Sequence, residues 1–331
     1  MLRVGVVGVG HLGKHHARIF NNMKDIKLIG IFDQDKQKAE KIAEKHSVEI
    51  FKTYDTMLDS VDAVDIAATT TAHYELAKKA IEKKIHVFVE KPITSKLEQA
   101  KELIKLAETN NVKIQVGHIE RFNPVVLKVA SEIKEPLFIE SHRIAPFTPR
   151  GSDVPVVLDL MIHDIDLILS FVKSKIIDIN ASGVSLLTPS IDIANARLEF
   201  ENGAIANVTS SRISLKKERK LRFFQKDAYL SLDFNAKKVN IVKKSGDLKK
   251  IMPAILSGNM DFSVDDILNV KKIIADDLKK DALTLELESF RDSIVNDTPP
   301  KVDGIAGTRA LDIATKIVSQ INHKQNKFFN K

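Results

Sequence analysis

Three groups of residues in the chain have the types and spacing to do chemistry. The first is Glu90-Lys91-Pro92, an acid, an amine and a proline directly after the apolar run His86-Val87-Phe88-Val89. Such a run reads as a strand buried on both faces of a parallel sheet, and open α/β sheets place ligands beyond the carboxyl ends of their strands. Proline cannot donate to a ladder, so the strand stops there and presents Lys91 at the sheet edge with Glu90 behind it. In isolation the tripeptide is more simply a solvated pair at a strand end; its surroundings decide otherwise. The second group is Gly8-Val9-Gly10-His11-Leu12-Gly13, after the Val- and Gly-rich segment Leu2 to Val7. Its glycines permit a tight turn, close approach of backbone to a pyrophosphate, and close helix–strand packing. The third is Asp159-x-x-x-His163 with Asp166, which helical spacing places on one face. A carboxylate orienting an imidazole suits a general base. Two acids and an imidazole also resemble a metal site, but no metal is expected, and a histidine in so apolar a helix can equally be a core residue.

The elements around these groups are those of a dinucleotide domain. The helix after Gly13 turns His16, Ala17, Ile19 and Phe20 inward, and its N-terminus, with free N–H groups and the positive end of the dipole, favours a pyrophosphate. The next strand, Lys27 to Phe32, ends in Asp33, about 20 residues beyond the glycines, where a carboxylate accepts from a ribose 2′-hydroxyl and repels a 2′-phosphate. That favours NAD over NADP, although Lys36 and Lys38 lie close by. Asp35 caps a helix with Ala39, Ile42 and Ala43 inward; Ala63 to Ala67 is a buried strand ending in Thr69-Thr70-Thr71, whose hydroxyls can line the cofactor. Ser95-x-x-Glu98 reads as a capping box opening a further helix, and Val112 to Val116 closes the domain near Gly117. Strands alternating with helices of this length mean a doubly wound parallel sheet.

Beyond Gly117 the texture changes. With 331 residues the chain exceeds one comfortable core, and the division expected is a dinucleotide-binding domain over 1–120 and an α+β domain over 121–331 that binds substrate and mediates self-association. Glu120-Arg121-Phe122-Asn123-Pro124 lies at the crossing, either as a substrate-contacting segment or as a polar linker capping the next helix. A helix from about Val157 to Val172 is apolar nearly all round, so its charged residues need partners or work to do. From Ile176 onward short alternating strands predict an open, largely antiparallel sheet. Asn202-Gly203 supplies a hairpin turn, and Phe223-Phe224 contributes to a partly apolar outer face. Asp265 to Leu278 reads as helical, and two terminal helices turn Leu287, Phe290 and Ile294, then Ala310, Leu311, Ala314, Ile317, Val318 and Ile321 inward.

Composition narrows the classes. The chain is 44% hydrophobic and 29% charged, ordinary for a soluble globular protein. The absence of cysteine excludes disulfides, thiolate catalysis and Cys-ligated metals, and with no signal-peptide pattern at the start it fits a cytoplasmic protein. No membrane span is expected, because the best apolar run, Val156 to Val172, carries Asp159, His163, Asp164 and Asp166. The net charge of +7 is concentrated between Ser211 and Lys250, where 13 Lys and Arg meet 4 Asp and Glu. This stretch is first the solvated side of a sheet, and only second a site for nucleic acid or an acidic small molecule.

Taken in order, Gly8-x-Gly10-x-x-Gly13, Asp33, Thr69 to His73, His86-Val87-Phe88-Val89-Glu90-Lys91-Pro92, Arg121-Phe122-Asn123-Pro124 and Asp159-x-x-x-His163 resemble the Gfo/Idh/MocA oxidoreductases over nearly the whole chain. Glu-Lys-Pro after a Rossmann strand is the specific sign; the glycine fingerprint alone is not. The resemblance implies NAD held by Gly8, Gly10, His11, Leu12, Gly13, Asp33, Thr69, Thr70, His73, Glu90 and Lys91. It implies Lys91 beside nicotinamide and substrate, and substrate contacts from Glu120, Arg121, Asn123, Asp159 and His163. Within the family, Gly117 to Pro124 and Asp159 to Asp166 are most similar to bacterial UDP-N-acetylglucosamine 3-dehydrogenases. That implies oxidation of a nucleotide-sugar hydroxyl to a ketone, a homodimer or homotetramer, and an aminotransferase that consumes the ketone for lipid A. His163 oriented by Asp159, or Lys91 itself, would be the base. The alternatives are an inositol or free-sugar dehydrogenase of the same family and a non-catalytic NAD-binding sensor, with no nucleic-acid partner on the favoured reading.

Overall fold

The structure, a computed structural model, describes residues 1–149, 151, 153–244, 268–277 and 279–329. The chain forms two compact units, Met1–Phe122 with Lys280–Asp312, and Asn123–Lys279 with Ile313–Lys331.

In the first unit six parallel strands run in the order β3-β2-β1-β4-β5-β6, with β1 (Leu2–Val7), β2 (Ile26–Phe32), β3 (Glu49–Ile50), β4 (Ala63–Ile66), β5 (His86–Glu90) and β6 (Ile114–Gly117). Each crossover from β1 to β6 carries helix: α1 (Gly13–Asn22), α2 (Lys36–His46), α3 (Tyr54–Leu58), α4 (Thr70–Glu82) and α5 (Leu97–Asn110). The strand order reverses at β1, so the carboxyl ends of β1 and β4 flank the crevice where such sheets take ligands. Both faces of the central strands are covered, and Val4, Val6, Val64, Ile66, Val87, Phe88 and Val89 are fully buried. Asp35 caps α2 by accepting from the Lys38 N–H. The capping box expected at Ser95 does not form. Lys96 occupies the N-cap of α5, and the Ser95 hydroxyl donates instead to the Thr70 carbonyl at 3.3 Å.

The first unit does not end at residue 120. Helix α8 (Ala282–Val295) packs on α1 and on the short 3₁₀ turn Ile119–Phe122, and Leu287 and Phe290 join the core of β1, β2 and α1 with no exposure. The Phe290 ring meets Phe88 of β5 edge-on at 5.8 Å. The expected assignment of residues 280–312 to a contiguous second domain is therefore corrected: the chain returns to complete the first sheet's cover. The apolar period of α8 shows that a face is buried but not against what.

Among the described residues the second unit is built on eight strands in the order β14-β13-β12-β11-β7-β10-β9-β8, in which only β7 (Phe138–Ile144) and β10 (Ile205–Ser211) run parallel. The others are β8 (Ile176–Val184), β9 (Ile193–Phe200), β11 (Glu218–Phe224), β12 (Ala228–Asp233), β13 (Lys238–Lys244) and β14 (Leu268–Ile274). The hairpin of β9 and β10 turns at Asn202-Gly203, with Gly203 at φ +83°. Two corrections fall on this sheet. Part of the segment expected to be helical, 265–278, is strand β14, which pairs with the open edge of β13; the earlier part of that segment lies outside the described residues. Of the Phe223-Phe224 pair expected on the outer face, Phe223 points inward against Phe171 and is fully buried, whereas Phe224 is exposed and meets the rings of Phe138 and Tyr229 on the face where Glu140, His142, Lys220 and Arg222 also lie. There Arg222 pairs with Glu140 at 3.1 Å, so the basic stretch is partly balanced on the sheet itself. Among the described residues no helix is long and apolar enough to cross a membrane.

Because Phe290 fills the interior beside Phe88, the Phe290→Ala variant should destabilise the first unit by about 3–5 kcal/mol in urea unfolding. A loss below about 1 kcal/mol would place the ring outside that core.

Candidate active site

The glycine loop separates three requirements. Gly8 sits at φ +83°, and a Cβ there would come within 2.8 Å of the Ala68 backbone. A Cβ on Gly13 would lie 1.8 Å from the Gly8 carbonyl, so α1 can approach the strand only without one. Gly10 differs, since an added Cβ would meet nothing within 4 Å. Packing inside the protein gives no reason for glycine at that position; a ligand lying on the backbone does. Helix α1 has no acidic residue in its first turn and no side-chain cap, so its N-terminus is left for an anion. His11 and Leu12 stand beside it, exposed and half-buried. Asp33 closes the loop from the end of β2: its Oδ2 accepts from Val9 N–H at 2.7 Å and its Oδ1 from Asp35 N–H at 2.8 Å. A carboxylate has about four acceptor positions, so room for a ribose hydroxyl is left.

Thr69 and Thr70 lie at the start of α4, Thr69 exposed with its hydroxyl 3.3 Å from that of Thr71. His73 is placed otherwise than expected. It is buried, with Nδ1 2.9 Å from the Pro92 carbonyl and Nε2 3.1 Å from the Ala68 carbonyl. Burial pushes its pKa down against the pull of these two carbonyls, and the ring lies between the segment after β4 and the turn after β5. Lys91 is half-buried at that turn, and the Lys91–Pro92 peptide is cis.

Behind Lys91 lies a chain of charge that the motifs did not announce. His16 on α1 is fully buried, its Nδ1 2.7 Å from Oδ2 of Asp65 on β4 and its Nε2 3.3 Å from Oε1 of Glu90 on β5. The first contact is a hydrogen bond; the second is an ion-pair contact without hydrogen-bond alignment. Glu90 Oε2 in turn accepts from the Lys91 main-chain N–H at 3.2 Å. Burial alone would depress the His16 imidazole, but the two carboxylates outweigh it and hold its pKa well above 6.5. Burial likewise pushes Glu90 up, yet His16, the charge of Lys91 and the Lys91 main-chain N–H bring it below the usual carboxylate value. The directions make His16 the charged member and Glu90 the anion, while burial pushes Asp65 up against the pull of His16. The one available signal was Asp65 itself, an acid inside the apolar strand Ala63-Val64-Asp65-Ile66, which demands a partner.

Glu120 and Arg121 lie in the 3₁₀ turn that ends the first unit. Glu120 is buried and Arg121 half-buried. Lys301, which sequence reasoning passed over, stands with its ammonium 4.8 Å over the Phe122 ring, its pKa lowered by burial and by the charge of Arg121.

In the second unit Asn123 caps α6 (Pro124–Val129), accepting from Val125 N–H at 3.1 Å, as the linker reading expected. Asp159 and His163 lie on the apolar helix, but its first stretch, Val157–Met161, is π-wound before α7 (Ile162–Phe171) continues as α-helix. Both residues are half-buried, whereas Asp166 is buried. π-Turns inside α-helices recur at functional sites. Next along the helix, Asp164 is committed to the interior, holding buried Arg143 of β7 through contacts of 2.7 and 3.0 Å. Asp159 abuts Gly151, where a Cβ would lie 3.3 Å from its Oδ2. That loop is gripped by buried Arg212, which donates to the Gly151 and Val154 carbonyls.

Residues 2–118 match the family model described as "Oxidoreductase family, NAD-binding Rossmann fold", and residues 141–230 match the "GFO/IDH/MocA C-terminal domain". Fold and cradle together define an NAD-binding oxidoreductase. The UDP-N-acetylglucosamine 3-dehydrogenase of Acidithiobacillus ferrooxidans is 34% identical over 96% of both chains, and a solved structure of that enzyme superposes with a TM-score of 0.86 at 32% identity, covering 97% of each chain. The chain belongs to the Gfo/Idh/MocA family. The scyllo-inositol 2-dehydrogenase of Bacillus subtilis is 29% identical over 64% of this chain and 68% of its own. The scyllo-inositol dehydrogenase of Lactobacillus casei, solved with NAD(H) and scyllo-inositol, shares the fold at a TM-score of 0.78 and 20% identity, covering 98% of each chain.

Two outcomes follow. Changing Asp33 to Ser should raise kcat/KM with NADP relative to NAD by about tenfold or more, since a carboxylate facing a 2′-phosphate is removed; a wild-type preference for NADP would overturn the role given to Asp33. Because the His16 pKa is raised in the folded chain, its stabilisation is complete below about pH 6.5 and lost as pH rises through the folded value. Urea midpoints should therefore fall on the alkaline side of neutrality in the wild type, and that component should vanish in His16→Gln.

Proposed function

We propose that the chain is an NAD-dependent dehydrogenase that oxidises a secondary alcohol of a nucleotide sugar, the 3-hydroxyl of UDP-N-acetylglucosamine, to the ketone. The observation that carries this reading is the Glu90-Lys91-Pro92 turn on the strand next to the dinucleotide cradle, in a chain 34% identical over 96% of its length to an enzyme of that name. The like-charged neighbours Arg121 and Lys301 support an anionic substrate, because a diphosphate would neutralise both.

The cofactor supplies the hydride acceptor. The protein's residues then have the oxygen to manage. The C–H electron pair leaves as hydride, and the hydroxyl proton passes to His163, oriented by Asp159, or to Lys91. In the first case Lys91 donates a hydrogen bond to the same oxygen, and in the reverse direction it polarises the ketone. The reading includes a cytoplasmic homo-oligomer and a downstream aminotransferase that consumes the 3-keto sugar for lipid A.

The test is nicotinamide absorbance with NAD and UDP-N-acetylglucosamine, with a ketone trap pulling the equilibrium. Free N-acetylglucosamine and myo-inositol run alongside, the latter because inositol dehydrogenases are also relatives. Reduction with the UDP sugar alone is expected; turnover of inositol or the free sugar instead would transfer the chain to the alternative substrate class. Lys91→Ala should lower kcat by about 10²-fold or more while NADH affinity changes little. Near-wild-type turnover would remove Lys91 from the mechanism.

A further inference from the structure

A catalytic lysine at the end of a strand is only as well placed as the main chain that carries it. Here that main chain is held from behind. The Lys91 N–H donates to Glu90 Oε2, Glu90 Oε1 faces His16 Nε2, and His16 Nδ1 bonds Asp65. The links come from three elements, because Asp65 lies on β4, Glu90 on the neighbouring β5, and His16 in the first turns of α1. Phe88 closes the cluster with an edge-on ring at 5.7 Å from His16, which shuts out water from that side. A carboxylate in this position needs a cation, or it takes up a proton and loses its pull on the Lys91 N–H. Glu90 is also confined across the sheet, where a Cβ on Gly117 would meet its carboxylate at 2.9 Å.

We propose that His16 is a positioning residue: clamped between Asp65 and Glu90, it keeps Glu90 charged and in place, and so fixes the Lys91 main chain relative to the helix that carries the dinucleotide loop. His16 touches neither cofactor nor substrate in this role. It acts through Glu90, and the consequence for turnover rests on the function proposed above.

The decisive measurement is amide hydrogen exchange, which needs no substrate. In folded His16→Gln, the Lys91 amide should exchange about tenfold faster than in the wild type, while a peptide from β9 in the other unit keeps its rate. In the same variant kcat should fall by about tenfold with NADH affinity unchanged within about threefold, a split that general loosening would not give. An unchanged Lys91 amide would overturn the inference, and so would an equal acceleration in β9. If His16→Gln fails to fold, Asp65→Asn keeps the ring and weakens its hold; acceleration at Lys91 again supports the proposal and an unchanged rate overturns it. Should the wild type turn over no UDP sugar, the reading of function fails, and exchange at Lys91 decides this inference alone.

Discussion

Two carboxylates set inside a parallel sheet impose the constraint on which the first unit depends. Asp65 has no exposed side-chain surface and Glu90 has 12%. Neither can keep its charge there without a cation, and losing one partner of a buried charged set generally costs about 3–5 kcal/mol. One imidazole answers both acids, and it belongs to the helix that follows the glycine loop. The demand for charge balance thereby registers three elements against one another. Strand β1 contributes none of these charges, yet its end carries the loop, and Gly13 lets α1 press onto that loop at backbone distance. Cofactor cradle and lysine turn share one internal reference.

The parts that were legible in the sequence are those decided by backbone chemistry. A left-handed turn, a helix N-terminus and a close helix–strand approach select glycine whatever the rest of the chain does, so Gly8 and Gly13 could be read from residue type and spacing. Asp35 as a cap and Asn202-Gly203 as a hairpin turn are equally local, and both stand where expected. Asp33 was legible only in part. Its spacing points to a ribose hydroxyl, but its grip on Val9 and on Asp35 required seeing where the loop folds back.

What escaped was decided by partners distant in sequence. Leu287 and Phe290 showed a buried face; only the fold shows that the face completes the first sheet. Ser95-x-x-Glu98 had the letters of a capping box, yet the Ser95 hydroxyl found the Thr70 carbonyl, and the helix began one residue later without a side-chain cap. Strand β14 took residues of helical appearance because β13 offered an open ladder. The helical pattern marks His16 only as one more inward residue of α1, since nothing local distinguishes a histidine facing two acids from one facing leucines.

The second unit separates fully buried, paired side chains from half-buried ones on the same helix. Arg143 and Asp164 are both buried and satisfy each other with two parallel contacts, a geometry that fixes α7 on the sheet. Asp192 is likewise enclosed, its carboxylate accepting from the main chain of Leu186, Leu187 and Thr188 and shaping the loop before β9. Changing any of these costs the fold before it changes specificity. On the same helix His163 directly precedes Asp164, and it and Asp159 are half-buried rather than enclosed. The anchors hold the helix from the sheet side, independently of what lies against its half-buried face.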